Sequence, residues 1–568
     1  MSRLLPFGPR FQALVFCLFI VAAIFLVYGG IVEHPFHNFD DPIYVTNNYY
    51  VQHGLTLEGV EWAFRSLDGA NWHPLTWLSH MLDIEVFGHK PAGHYFTNIL
   101  LHCIASLLLF LVVLKIGKNT ILAFAVALLW AIHPANVECV AWISQRKALL
   151  SDCFIFGGML AYSNYKNTRG RIVYLVCIMM QMLASMSKPT AVLFPVALCL
   201  IDFSEPCNAS FTGNIADFMK VSGRNLRGLL FNKLPFIFIA GYLSVLTFVA
   251  QDGSGATGYT YKHTLARRCG NALESLFDYT VKAFSTPETS ILYVIRPLIG
   301  LRVFYGVVVL ILLVLAAIAA VRRVRAIAVG VGWYLLMFLP TIGLVQVGSQ
   351  RLADRYLNLP LIGLIVAVCL SVWVVFIHSR FRYMAIVALS AWALGLGFQA
   401  RSLCVNWGDD LRLSLNGIAV GGRSFSMLLN CSASAIQRKH YEEARRYLAM
   451  ATDEAKAMQN LAVIDMYEGK FEEALAKARR LLGNKETRLV GATIAGNALT
   501  SLQRHGDARR AYKAAIDLLP PNRTYLLNME ELRSSLPAME AREALLEKKG
   551  LDERVVKPEA GAGTGGSP

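Results

Sequence analysis

The sequence predicts an all-α membrane protein: a polytopic bundle of about eleven transmembrane helices followed by a short solenoid of paired helices. Three observations support this fold class. The 568-residue chain is 55% hydrophobic and only 16% charged, which is too apolar for an ordinary soluble enzyme of this size. Up to about residue 404, apolar residues form runs long enough to cross a bilayer. Beyond that point charge density rises and helical periodicity takes over.

The apolar runs define the transmembrane domain, residues 1 to 404. The first run follows Arg3 and Arg10 and lacks a small-residue cleavage site, so we expect an uncleaved span. The predicted spans are residues 11 to 30, 96 to 114, 120 to 134, 148 to 165, 172 to 187, 189 to 203, 234 to 250, 303 to 320, 326 to 346, 357 to 377 and 384 to 400. Residues 263 to 284 fit either an interfacial amphipathic helix or an additional hairpin.

Basic residues predict the orientation of this bundle. The net charge of +15 lies mostly in short clusters beside apolar runs, which is typical of topogenic loops rather than of a nucleic-acid surface. With a cytoplasmic N-terminus, every inner loop is basic, as the positive-inside rule requires. These loops are residues 115 to 119, 166 to 171, 204 to 233, 321 to 325 and 378 to 383. An odd number of spans then places everything after residue 401 on the outer side.

The C-terminal part contains a helical repeat. Residues 440 to 448, 469 to 482 and 504 to 520 align on Ala444, Ala474 and Ala508, with offsets of 30 and 34 residues. These offsets are close to the period of about 34 residues of tetratricopeptide (TPR) hairpins, although an irregular helical bundle is an alternative. We predict a TPR-like domain at residues 405 to 548, with a concave binding face, and a disordered tail at residues 549 to 568.

Ionisable residues gather on the predicted outer face. The motif FDDPIYVTNN carries adjacent Asp40 and Asp41 in an outer loop, residues 31 to 95, whose amphipathic segments suit the membrane interface. Structural ion pairs or snorkelling explain any one such residue, but their joint placement on one side favours a functional site. The other outer-face residues that we assign to the site are His73, Glu138, Arg146, Lys147, Lys188, Arg351, Asp354, Arg355 and Tyr356.

Carboxylates beside cations at the outer edge of a bilayer suit sugar transfer from a polyprenyl phosphate. A carboxylate base takes the proton from an acceptor hydroxyl, and positive charge stabilises the departing phosphate. Direct displacement with inversion needs one such base. Neighbouring side chains in an extended loop point apart, so we expect one of Asp40 and Asp41 to act as the base. We prefer Asp41 narrowly, because Pro42 should hold it extended.

The basic residues of the outer face are predicted to contact the donor phosphate. They are Lys188, Arg351, Arg355, Arg146 and Lys147. Adjacent acids such as Asp40 and Asp41 can bind Mg²⁺ or Mn²⁺ through oxygen ligands. An acid pair in a loop is nevertheless weak evidence of a metal, so we expect no metal and no other cofactor.

Five ordered motifs resemble the transmembrane and TPR-repeat-containing (TMTC) family and its bacterial relatives. They are FDDPIYVTNN, WHPLTWLSHMLD followed by GHYFTNILLH, HPANVECVAWISQRKALLSD, SKPTAVLFPVALCLID and LADRYLNLPLIG. The resemblance implies a GT-C glycosyltransferase fold, a lipid-phosphate sugar donor and an acidic catalytic motif at Asp40 and Asp41. Animal members are protein O-mannosyltransferases that use dolichyl phosphate mannose. The small number of repeats suggests a bacterial relative, and Ala148 stands where an acid is more common.

We therefore predict an inverting integral-membrane glycosyltransferase. It would move a sugar, mannose by the resemblance, from a polyprenyl or dolichyl phosphate to Ser or Thr hydroxyls of exported proteins bound by the TPR-like repeats. Its membrane would be a bacterial inner membrane with periplasmic repeats, or the ER membrane with lumenal repeats. Two alternatives stay open: a glycan polymerase or ligase with a polyprenyl diphosphate donor, and a non-enzymatic TPR scaffold, for which one or two spans would suffice.

Overall fold

A computed structural model describes residues 8–204, 231–255 and 263–518, except residues 287, 322–323, 346–347, 349, 378, 452–453 and 486. Within these ranges the secondary structure is helical, with one isolated antiparallel bridge between Val294 and Gln350. The chain forms two compact units, which are described separately. A membrane unit contains residues 1–46 and 51–422, and a C-terminal unit contains residues 47–50 and 423–568.

The membrane unit consists of helices joined by turns. They are α1 (Pro9–Tyr28), α2 (Leu57–Arg65), α3 (Pro74–Phe87), α4 (Pro91–Gly117), α5 (Thr120–Ala131), α6 (Val137–Ala141), α7 (Arg146–Thr168), α8 (Arg171–Ser185), α9 (Phe194–Ser204), α10 (Leu234–Gly253), α11 (Leu265–Phe284), α12 (Gly300–Val321), α13 (Arg325–Leu336), α14 (Asn358–Phe376), α15 (Arg382–Asn406) and α16 (Asp410–Gly421). Every predicted span lies at least partly on one of these helices.

Six helices in the described residues are long and apolar enough to cross a membrane. They are Arg10–Glu33, Pro91–Gly117, Leu234–Gly253, Gly300–Val321, Asn358–Phe376 and Arg382–Asn406. A bent pair, Thr120–Ala131 with Pro134–Ala141, has an angle of 52° and would be a seventh span. The bend follows from Pro134, whose ring cannot continue the preceding helix. The chain is thus a multi-pass membrane protein, and the count of about eleven spans stays a prediction.

One predicted span is shorter than expected, and one segment adopts the first of its two predicted alternatives. The predicted span at residues 326 to 346 is helical only as far as Leu336, and turns follow because Pro340 lacks the amide hydrogen that a helix requires. Residues 265 to 284 form one continuous helix, α11, rather than a hairpin. Its buried face includes Leu276 and Tyr279, which belong to the main apolar core.

The start of the C-terminal unit also differs from the predicted boundary at residue 405. Helix α16 belongs to the membrane unit, where the Asn416 side chain donates a hydrogen bond of 2.6 Å to the carbonyl of Thr289. Helix α16 is therefore held in the membrane unit by this contact, although it is polar enough to resemble the repeats. The second unit therefore begins at Arg423 in the main part of the chain.

The described part of the C-terminal unit contains consecutive helix pairs. Besides residues 47–50, where the short helix Tyr49–Gln52 begins, its helices are α17 (Phe425–Gln437) with α18 (Tyr441–Ala449), α19 (Glu454–Tyr467) with α20 (Phe471–Leu481), and α21 (Arg488–Ser501) with α22 (His505–Asp517). Ala444, Ala474 and Ala508 are fully buried in these pairs. Packing is close, since a Cβ at Gly496 would lie 2.2 Å from the Tyr512 ring. A regular TPR solenoid stays a prediction.

Candidate functional site

A cavity of about 520 Å³ lies in the membrane unit and collects charged side chains from distant parts of the chain. We call it the donor cavity. Its charged lining residues are Asp40, Lys147, Lys188, Arg351 and Arg355. All five were assigned to the site from the sequence. The described lining thus contains one carboxylate among four cations, an arrangement suited to an anionic ligand with one group left to act as a base.

The two adjacent aspartates have different environments. Asp40 lines the cavity, and its side chain is 39% exposed. Asp41 is fully buried, and its carboxylate accepts hydrogen bonds from the backbone amides of His37 (2.9 Å) and Ser144 (3.2 Å) and from the Ser144 hydroxyl. Burial raises the pKa of the Asp41 carboxyl above its usual range, although these hydrogen bonds oppose the shift. Asp41 therefore joins two chain segments instead of facing the cavity.

The backbone around these aspartates is helical, whereas the sequence predicted an extended Asp41. The carbonyl of Asp40 accepts hydrogen bonds from the amides of Ile43 (2.9 Å) and Tyr44 (3.0 Å), and a π-helical turn covers Pro42–Thr46. Pro42 is tolerated at the start of this turn because the first amides of a helix need no intrahelical acceptor. The turn separates the two carboxylates and removes the reason for preferring Asp41 as the base.

Lys147 lies beside Asp40 at the cavity wall. Its Nζ is 3.9 Å from Asp40 Oδ2, donates a hydrogen bond of 2.9 Å to the Tyr44 hydroxyl, and lies 4.3 Å from the centre of the Tyr44 ring. Tyr44 in turn stacks on Trp77, with ring centres 4.8 Å apart. The aromatic stack holds the ammonium group in place, so Lys147 is oriented next to the exposed carboxylate.

Arg355 is fixed by a buried carboxylate. Glu138, which is 4% exposed, accepts from the Arg355 backbone amide (2.8 Å) and pairs with its guanidinium. The guanidinium also lies over the rings of Trp142 (5.6 Å) and Tyr356 (5.0 Å). Of the two residues that the sequence analysis also assigned to the site, Tyr356 lines the cavity, whereas Glu138 contacts Arg355 and is not a lining residue.

The remaining two cations of the cavity differ in how their charge is balanced. Arg351 is only 6% exposed, and its Nη2 pairs with Asp278 Oδ2 at 2.6 Å. Lys188 lines the cavity as well, and no ion pair to its ammonium group is found among the described residues. Lys188 is therefore the cavity cation most available to an incoming phosphate.

In addition to Asp41 and Glu138, three residues assigned to the site from the sequence lie outside the cavity lining. Arg146 is fully buried and pairs with Asp83 (2.5 Å), although we predicted a phosphate contact. Asp354 is 2% exposed and pairs with Lys282 at 2.8 Å. His73 is fully buried, with its ring stacked on Trp77 at 4.8 Å. A sequence motif cannot show whether a charged residue has a buried partner on another helix, and this explains the difference.

One wall of the cavity was missed by the sequence reasoning. Helix α10 contributes Ser244, Thr247 and Gln251, together with Phe248, which is 47% exposed. The three polar residues are spaced by three and four positions in an otherwise apolar helix, so they share one face. This stripe of polar residues was the sequence signal that could have identified the missed wall.

The expectation that the site needs no metal or other cofactor stays a prediction. Within the ranges that the structure covers, no group of three or more His, Cys, Asp or Glu side chains is placed to hold a metal ion.

Curated relatives of the chain are proteins of one family. The chain is 31% identical over 150 residues to protein O-mannosyl-transferase Tmtc1 of Drosophila melanogaster, a match that covers 26% of the chain and 17% of that protein. It is 22% identical over 413 residues to protein O-mannosyl-transferase F38B6.6 of Caenorhabditis elegans, covering 69% and 54%. The predicted relationship to the TMTC family is confirmed. A further relative, TMTC1 of Mus musculus, is 33% identical over 155 residues, covering 25% of the chain and 16% of that protein.

The TMTC relationship has a limited extent. Matches of about 30% identity cover about a quarter of the chain, and the chain spans at most about half the length of these relatives. No family model matches the chain. The names of the TMTC relatives state a protein O-mannosyl-transferase activity for those proteins, and its transfer to this chain belongs to the following proposal.

Proposed function

We propose that the chain is an integral-membrane protein glycosyltransferase that moves a sugar from a polyprenyl or dolichyl phosphate to Ser or Thr hydroxyls of exported proteins. The observation that carries the proposal is the donor cavity, where one exposed carboxylate, Asp40, lies among four cations. The names of the TMTC relatives support mannose as the sugar. A GT-C fold and an outer-face site follow from the same resemblance and from the basic inner loops.

Asp40 is the general base in this proposal. It is the carboxylate of the described cavity lining, and its 39% exposure leaves it accessible to an acceptor hydroxyl. Asp41 already accepts three hydrogen bonds and is fully buried. A single base supports direct displacement of the phosphate with inversion at the anomeric carbon, because retention would require a second carboxylate as nucleophile.

The donor phosphate is held by Lys188, Lys147 and Arg355 in this proposal. Lys188 has no ion pair among the described residues, so a phosphate oxygen can approach it without displacing a carboxylate. Arg355 keeps its orientation through Glu138 and lines the cavity. As the sugar–phosphate bond breaks, negative charge grows on the phosphate, and these prearranged cations stabilise it.

The lipid part of the donor would lie along the apolar surface beside the cavity. Helix α10 carries Phe248 at the cavity and exposes Phe238, Tyr242 and Val245 on its outer surface. Val345, which is 54% exposed and lies in the turns after helix α13, also lines the cavity. A polyprenyl chain can therefore remain in the hydrocarbon region while its phosphate enters among the cations. The C-terminal helix pairs are proposed to bind the acceptor polypeptide, as TPR-like repeats do.

Reconstitution of the full chain into vesicles tests the function itself. The purified protein is supplied with a labelled polyprenyl phosphate sugar and Ser- or Thr-containing peptides, and the product anomer is determined by NMR. We expect a single sugar on a hydroxyl with inverted configuration. A ladder of sugars formed only from a polyprenyl diphosphate would indicate a polymerase. Peptide binding without any transfer would indicate a scaffold.

A further inference from the structure

A second cavity, of about 440 Å³, lies along helix α11 in the membrane unit. We call it the arginine cavity. Its apolar lining includes Phe277, Val281 and Leu352, and its basic lining residues are Lys282, Arg296, Arg302 and Arg351. Arg351 also lines the donor cavity, so the two cavities share a wall residue. The proposed transfer reaction leaves the arginine cavity without a role.

The charges of this cavity are arranged in two layers. Arg302 Nη1 lies 3.0 Å from Asp278 Oδ1, and Arg296 Nη2 lies 2.8 Å from Glu274 Oε1. The carboxylates are buried, with Glu274 0% and Asp278 12% exposed, while Arg296 and Arg302 are 40% and 41% exposed. Glu274 thus orients Arg296 from outside the lining, whereas Asp278 lines the cavity beside Arg302, and the two guanidinium groups are more exposed than the acids.

The other charged residues of the arginine cavity do not cancel this surface. Lys282 is engaged by Asp354 (2.8 Å) and by the Tyr293 hydroxyl (2.8 Å). The described lining contains two acids, the exposed Glu288 and the mostly buried Asp278, against four basic residues. Arg296 Nε and Arg351 Nη1 are buried without a hydrogen-bond partner among the described residues, although Arg351 Nη1 lies 3.8 Å from Glu274 Oε1. Buried donors of this kind favour a ligand that brings acceptor oxygens.

We infer that the arginine cavity binds acidic side chains of the acceptor polypeptide, next to the Ser or Thr that receives the sugar. This inference rests on the proposed transferase function. Carboxylates match the planar fork of a guanidinium, and the apolar wall suits the methylene groups of a polypeptide side chain. Because Arg351 borders both cavities, a peptide bound in one can place a neighbouring hydroxyl in the other. The cavity thereby selects acceptors by the charge beside the modified hydroxyl.

The test uses the full chain in vesicles with a polyprenyl phosphate sugar and three peptides that differ only beside one Ser. The flanking residues are Glu, Gln or Lys. We expect kcat/KM to be highest for the Glu peptide, by about fivefold over Gln, which is the upper range for an exposed ion pair. Arg302→Gln should remove this preference, and Arg302→Lys should keep part of it. Arg65→Gln, a change at a 79% exposed arginine outside the cavity, is the matched control.

A binding measurement separates this inference from the proposed function. Fluorescent Glu and Gln peptides are titrated onto the protein without donor, and the KM for the donor is measured in each variant. Transfer with equal kcat/KM for the Glu and Gln peptides overturns the inference and leaves the transferase intact. Acid-selective binding that Arg302→Gln removes, without transfer to any peptide, supports the cavity assignment and counts against the transferase. The thermal unfolding temperature of Arg302→Gln must match that of Arg65→Gln, so that a loss of selectivity is not a loss of folding. Comparing the Glu and Lys peptides on the unmutated protein gives a readout that does not depend on any variant.

Discussion

The buried pair formed by Arg146 and Asp83 should be needed for folding and not for donor binding. Arg146 is fully buried, and Asp83, with a 5% exposed side chain, contacts it at 2.5 Å. Replacing one partner of a buried ion pair costs about 3–5 kcal/mol, because the other charge stays buried without compensation. Arg146 also donates to Asn98 Oδ1 (2.9 Å) and to the His94 carbonyl (2.8 Å). Asp83→Asn should therefore fall near the lower limit, about 3 kcal/mol.

The assay is denaturant unfolding in bicelles combined with donor kinetics. Asp83→Asn should lower the free energy of unfolding, while the protein that remains folded keeps its KM for the donor. Lys188→Met should instead raise the KM for the donor and leave the free energy of unfolding unchanged, because Lys188 has no ion pair to lose among the described residues. Normal stability of Arg146→Gln, together with a raised KM for the donor, would refute the structural role of the buried pair. That result would return Arg146 to the donor site.

Three further results are expected. Lys188→Met should raise the KM for the donor by about ten- to a hundredfold, the value of a hydrogen bond to a charged group, in donor titrations where exposed Lys90→Met has no effect. Burial raises the pKa of Asp41 above its ordinary value of 3.8, so the folded protein retains a proton that the unfolded chain releases. The free energy of unfolding should accordingly contain a component that falls as pH rises from about 4 through the raised pKa of Asp41. This component should be absent when the pH dependence of unfolding is measured for Asp41→Asn. In the repeats, Ala474→Leu should destabilise the C-terminal unit by about 1–3 kcal/mol through overpacking, whereas Ala476→Leu on the exposed face should not, as limited proteolysis can show.

Much of the helical fold could be predicted from the sequence because apolar runs and helix periodicity are local signals. Within the part of the chain that the structure describes, the six helices with the length and hydropathy of a complete span were all among the predicted ones. The predictions were wrong where a local sequence signal was compatible with more than one structure. The span predicted through residue 346 ends at Leu336, and helix α16 belongs to the membrane unit although its polarity resembles that of the repeats. Hydropathy alone does not show which polar helix packs against which unit.

The sequence named several charged residues that line the cavity, but it could not show how they are arranged. The cavity contains Asp40, Lys147 and Lys188 as the motifs indicated. The sequence did not separate these residues from Arg146, since the distinction depends on a carboxylate 63 positions away, at Asp83. Nor could it separate Asp40 from Asp41, because the turn at Pro42 and the hydrogen bonds from Ser144 are tertiary features.

Transfer by two neighbouring variants, Asp40→Asn and Asp41→Asn, tests the central claim most directly. Both are reconstituted, corrected for the folded amount, and assayed with labelled polyprenyl phosphate sugar at saturating acceptor. With Asp40 as the general base, Asp40→Asn should lower kcat by about 10²–10⁴-fold at unchanged KM for the donor, and Asp41→Asn should lose stability but keep most of its kcat per folded molecule. Normal kcat in Asp40→Asn, with the loss confined to Asp41→Asn, would contradict the account.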